Sequence, residues 1–167
     1  MYVLFWKGGH SLQDRLIRCF SRGPYSHCEL LFSDGTRFGV SSAYEARYLL
    51  DPQGWNPNDW DCIGVRGGDE AKVRAFCDSQ VGAEYDWLGV AFSIVLPWGR
   101  QTADKWFCSE LTIRGLQEGD YGDVRGIKAH QYTPVRLANK LLEAGERLVS
   151  PREFLYARDG HTLQEVG

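Results

Sequence analysis

The segment HCELLFSDGTRFGV, residues 27–40, constrains this chain more than any other stretch. Two runs rich in β-forming residues, "HCELLF" and "TRFGVSSA", flank Ser33-Asp34-Gly35. Turn residues set between two such runs specify a hairpin, and a hairpin commits the fold to antiparallel sheet. A short buried strand at "VLFW", ended by Gly8-Gly9, and a third main strand at "DCIGVR" are expected to join it, with a Pro-, Asn- and Asp-rich loop over 51–61 between. "SLQDRLIRCF" reads as an amphipathic helix with Ser11 as its N-cap and Leu12, Leu16, Ile17, Cys19 and Phe20 as its apolar stripe. It stops at Arg22-Gly23-Pro24. Its arginines, Arg15, Arg18 and Arg22, read as a solvated face.

Further helices are expected in "DEAKVRAFCDSQVG", capped by Asp69 and ended by Gly82, and in "CSELTIRGL", closed by Gly115. "TPVRLANKLLEAG" carries the Thr-Pro start and Gly stop of another. Residues 86–98 form an apolar segment open to either helix or strand, and "REFLYAR" is expected to close the chain as a strand. These elements sum to an α+β fold, a small antiparallel β-sheet packed against helices. With 167 residues, 43% of them hydrophobic, the chain suits one domain, 1–167, around one core.

The net charge of -3 leaves no broad basic field, so nucleic acid is not an expected partner. Five cysteines, an odd number without CxxC spacing, fit neither a disulfide framework nor a structural zinc site. Mostly buried thiols in a reducing compartment are the expectation. "MYVLFWKGGH" lacks the basic region of a secretory signal, and "WLGVAFSIVLPW" is too short to span a bilayer. The chain therefore reads as cytoplasmic, reaching the cell envelope only if exported or released.

Cys108 and His27 are the residues with the greatest chemical potential. A cysteine attacks as thiolate, and the first turn of a helix, with its unpaired N–H groups, favours that anion. Thr102 and Asp104 are possible caps for such a helix. His27 opens a strand just after a Gly-Pro turn, where an imidazole can take a thiol proton and return it to a leaving group. His10, His130 and His161 lie in turn-like or terminal surroundings. A third group would hold the ring in its useful tautomer. Ser41 and Ser42 return beside the His27 strand, Glu29 shares its face, and Glu45 lies just beyond. A metal reading would draw on His27, Cys28 and Glu29, but neighbours on a strand point to opposite faces, so neither metal nor other cofactor is expected.

Taken in order, "YSHCELLF…GTRFGVSSA", "GAEYDW" and "WFCSEL" resemble the circularly permuted branch of the NlpC-like papain-fold superfamily, especially its YiiX/YaeF-like group. The likeness covers roughly residues 1 to 142. It implies a permuted papain-like fold in which the histidine strand precedes the cysteine helix, with Cys108 as nucleophile and His27 as general base. Tyr85 matches a tyrosine that helps shape the oxyanion region. Ser42 falls where relatives place the third polar residue, often His, Glu, Gln or Asn, so that role stays open to Glu29, Glu45 or water. Glu110 matches a frequent acidic residue of the "CSEL" motif.

The resemblance implies a cysteine peptidase or amidase acting on peptides, including those of the cell wall, through an acyl-enzyme. Lipid-directed acyl transfer or ester hydrolysis on an acyl-lipid is the alternative, and a non-catalytic binding module is another. Trp55, Trp60, Trp87, Trp98 and Trp106 supply large apolar surface, and Trp87, Trp106 and Glu110 are the candidates for contact with substrate.

Overall fold

The computed structural model describes residues 1–9, 11–49, 56–86 and 105–151. Along the chain these form β1 (Tyr2–Trp6), α1 (Leu12–Ser21), β2 (His27–Leu31), β3 (Arg37–Ser41), β4 (Tyr44–Leu49), β5 (Trp60–Gly64) and α2 (Glu70–Gln80). Then follow β6 (Glu84–Tyr85), β7 (Lys105–Trp106), α3 (Cys108–Glu118), α4 (Pro134–Glu143) and β8 (Leu148–Val149). Six strands make one antiparallel sheet in the order β4-β3-β2-β1-β5-β8. The fold is α+β, as the hairpin and helix signals imply.

Strand alternation divides the sheet into two faces. Val3, Phe5, Cys28, Leu30, Phe38, Val40 and Ile63 bury into the main core with the helices. Leu4, Leu31, Trp60 and Cys62 form a smaller apolar layer on the opposite face. That second face also carries the polar residues of the site, because positions two apart on a strand point the same way.

Helix α3 packs on β2 and β3 and against α2, and Gly115 is what lets it come close. A Cβ at Gly115 would stand 3.0 Å from Leu30 Cδ1. The expected stop at Gly115 is thus corrected: that glycine serves close approach within the helix, and α3 runs on to Glu118 with Gly119 as its C-cap. Elsewhere the capping signals held. Ser11 Oγ accepts from the Asp14 amide, Asp69 from Ala71 and Lys72, and Thr133 from Arg136. Gly82 and Gly145 take the left-handed conformation, at φ 85° and 87°, just beyond α2 and α4.

The apolar stripe expected for α1 is also corrected. Only Ile17 is buried, while Leu12, Leu16 and Phe20 are 72%, 47% and 56% exposed and Cys19 is exposed. Periodicity fixes which residues share a helix face; it does not supply a neighbour to cover that face. The arginine cluster divides as well. Arg18 donates to the carbonyls of Lys7, Gly8 and Gly9, pinning the loop after β1, while Arg15 and Arg22 are exposed.

Four strands lay outside the sequence reading: β4, β8 and the short parallel pair β6 and β7. β4, "YEARYL", buries Ala46 while Glu45 and Arg47 face solvent, and β8 pairs with β5. The "REFLYAR" strand, the apolar stretch after Asp86, and His10, His161, Trp55 and Trp98 lie outside the described residues. Among the described residues no helix is long and apolar enough to cross a membrane.

Candidate functional site

Antiparallel pairing sets His27 opposite Trp6, at the first position of β2. Helix α3 begins at Cys108, directly after its N-cap Phe107, which contributes no side-chain cap. The suggested caps Thr102 and Asp104, which lie outside the described residues, are thus corrected, because the helix starts several residues later than they would require. Packing of α3 on β2 brings the two chemistry-bearing residues together. The Cys108 sulfur lies within hydrogen-bonding reach of the His27 ring and of Cys28, and Cys108 is only 1% exposed.

The ring is held from its far side by Glu29. Its Oε1 lies 3.1 Å from His27 Nε2, which leaves Nδ1 as the nitrogen to serve the sulfur. Glu29 is 2% exposed, and a buried carboxylate requires partners. Tyr44 donates its hydroxyl to Glu29 Oε1 at 2.7 Å, and Arg37 donates to Oε2 at 3.2 Å. The Tyr44 oxygen also lies 3.5 Å from His27 Nε2. Of the groups considered for the third role, Glu29 is therefore the one at the ring. Ser42 sits exposed in the turn between β3 and β4 on the wall of the same cleft, and Glu45 is exposed on β4.

Room for that carboxylate comes from Gly39 on β3. A Cβ there would stand 2.8 Å from Glu29 Cγ, closer than side chains tolerate. Gly39→Ala is expected to push Glu29 off His27 and to destabilise the fold by about 1–3 kcal/mol through overpacking. Urea denaturation measures the stability loss, and an activity assay on the same variant measures the loss of alignment.

The electrostatics follow from these contacts. Burial pushes the Cys108 thiol up, but the hydrogen bond from Cys28 and the charge and hydrogen bond of His27 outweigh it, bringing the group down to about 5. Burial opposes a charged His27, yet the negative sulfur and then Glu29 raise the ring to about 10. Glu29 stays below the usual carboxylate range: burial raises it, and His27, Arg37 and Tyr44 together lower it further. Cys28 is pushed well above an ordinary thiol by burial and by its neighbour, so it remains a donor. Both shifts favour the thiolate–imidazolium form of the pair, and the N-terminus of α3 adds favourable dipole at the sulfur.

The His27–Glu29 face opens into a cleft of about 470 Å³, walled by Trp6, Ile17, Arg37, Tyr44, Trp60 and Tyr85 among others. Tyr85 is placed by a parallel pair, in which β6 runs beside β7 with Tyr85 opposite Trp106. Its ring meets Phe107, the residue before Cys108, at 6.4 Å between centroids. Trp106 turns elsewhere: its indole donates to Gln80 Oε1 at 2.8 Å and its ring packs on Phe76, which braces β7 against α2. Glu110 is buried in the first turn of α3, and neither residue is among those on the cleft wall. Trp87 lies outside the described residues.

The sequence reading did not reach Arg37, Tyr44 or the placement of Trp60, whose ring lies 6.2 Å from that of His27. Arg37 was visible only as one charge in the hairpin. Tyr44 begins the strand whose alternation, Tyr44, Ala46, Tyr48, went unread beneath its charged partners. Cys28 turns toward α3, 3.7 Å from Thr112 Oγ1, away from the face bearing Glu29. Among the described residues no cluster of His, Cys, Asp and Glu could hold a metal ion. No family model matches the chain, and no curated protein matches it.

Proposed function

We propose that this chain is a cysteine hydrolase of the circularly permuted, NlpC-like papain type that cleaves amide bonds of peptides, including peptidoglycan peptides. The observation that carries the reading is the chain of contacts from the Cys108 sulfur through the His27 ring to the Glu29 carboxylate. Cys108 attacks the substrate carbonyl as thiolate and forms a tetrahedral intermediate. The Cys108 amide at the start of α3 and the Tyr85 hydroxyl are the donors for its oxyanion. His27 gives its proton to the departing amine, leaving a thioester on Cys108. It then takes a proton from water, which attacks the thioester and releases the acid and free enzyme. Glu29 keeps Nε2 engaged, and so keeps Nδ1 directed at the sulfur throughout.

A second reading, acyl transfer or hydrolysis on lipids through the same thiolate, draws support from the exposed apolar residues of α1, whose inner side chains line the cleft. Incubation with a panel of muropeptides and acyl-lipids, followed by intact mass spectrometry, separates the two. An acyl group captured on Cys108 from muropeptides supports the first reading; capture from lipids alone overturns it in favour of the second. Capture from neither, together with the absence of a low-pH thiolate, points to a binding module.

That thiolate is itself testable. The ultraviolet thiolate absorbance lost in Cys108→Ala is expected to be present at neutral pH and to disappear only as pH falls through about 5. An ordinary thiol would lose it below about 8.5. A difference signal that emerges only at alkaline pH contradicts the ion pair.

A further inference from the structure

Helix α1 presents an outward stripe made of Leu12, Arg15, Leu16, Cys19 and Phe20, all exposed. These positions are spaced three and four apart, so they form one continuous face along the helix. Three large apolar side chains exposed in a line on one helix mark an interaction surface. The charges around the stripe indicate what it meets. Arg15 lies within it and the exposed Arg22 closes its C-terminal end, while Arg18 is turned inward to the carbonyls of the loop after β1. The helix's own acid, Asp14, is also turned away, and accepts from Ser11 and from Ser26 at the cleft wall. The outer face is thus apolar and cationic even though the whole chain is acidic, at net charge -3.

An apolar stripe bordered by arginine, on a helix lying flat at the surface, is the pattern of an interfacial helix that settles at the headgroup boundary of a bilayer.

We propose that α1 is a docking helix which seats the protein on anionic lipid surfaces through Leu12, Leu16 and Phe20, with Arg15 and Arg22 supplying the attraction to headgroups. The inner side of the same helix, through Ser11, Asp14 and Ile17, walls the cleft below His27. Docking therefore places the cleft directly behind the bilayer-facing helix. The inference rests on the exposure and charge of α1 and does not depend on the chemistry proposed for Cys108, so either can fail alone.

The test is co-sedimentation of the full chain with vesicles of phosphatidylcholine alone and with added phosphatidylglycerol. The expected result is binding to the anionic vesicles, weakened by salt. Leu12→Ser/Leu16→Ser/Phe20→Ser should reduce it at least about tenfold with the melting temperature unchanged, since the substituted side chains are exposed. Arg15→Gln/Arg22→Gln should reduce the preference for anionic over neutral vesicles. Absence of binding to either vesicle overturns the proposal, as does binding that the triple serine variant retains. A concentration-dependent dimer in light scattering, abolished by the same triple variant and unaffected by vesicles, also overturns it by assigning the stripe to a second copy of the chain.

Discussion

Cys108→Ala is expected to abolish turnover, with a loss on the order of 10⁵–10⁶ in kcat, because in the proposed mechanism Cys108 carries the acyl intermediate. Substrate binding should survive, since the walls of the cleft belong to other residues. Mass spectrometry of the variant with substrate should show no covalent adduct, and equilibrium binding should be near that of the native protein. Cys28→Ala is the informative companion. Cys28 is a hydrogen-bond donor to the sulfur and is itself protonated, so its loss should raise the pH at which the thiolate forms without eliminating the adduct. Adduct formation on Cys28, or turnover persisting in Cys108→Ala, would assign the nucleophile elsewhere.

The second large effect belongs to Glu29. Glu29→Gln keeps the size of the side chain but removes the charge that holds the imidazolium and fixes its tautomer. A change of this kind at the orienting acid of a triad costs up to about 10⁴ in kcat. Ser42→Ala, at the position the family resemblance singles out, should cost little. Single-turnover kinetics on the two variants give the comparison, with melting temperatures recorded because Arg37 and Tyr44 also lean on that carboxylate. Equal, small losses in both variants would remove Glu29 from the role given to it.

The antiparallel hairpin, the N-caps at Ser11, Asp69 and Thr133, and the α+β class were legible because each is encoded locally, in residues a few positions apart. The Cys108–His27 pair was legible only through the order of several motifs, since the residues are far apart in sequence and meet only when α3 packs on β2. What stayed hidden depended on neighbours the sequence does not display. The α1 stripe had the spacing of a core face, yet among the described residues no element covers Leu12, Leu16 or Phe20. Gly115 had the look of a helix stop, and the proximity of Leu30 gives it another purpose. The third residue was left among several because Ser42, Glu45 and Glu29 are all near His27 along the hairpin. Only the register of β2 with β3, and the space at Gly39, seats one of them at the ring.

Glu29 and His27 occupy alternate positions of a single strand, so their separation is inherited from the pleat. A slip of β2 by one place against β1 would turn both away from the cleft together and send Cys28 out of the interior in exchange. Seating of the His27–Glu29 pair and zipping of the central ribbon are therefore the same event. A nascent or partly melted chain, lacking that ribbon, carries only a dormant thiol.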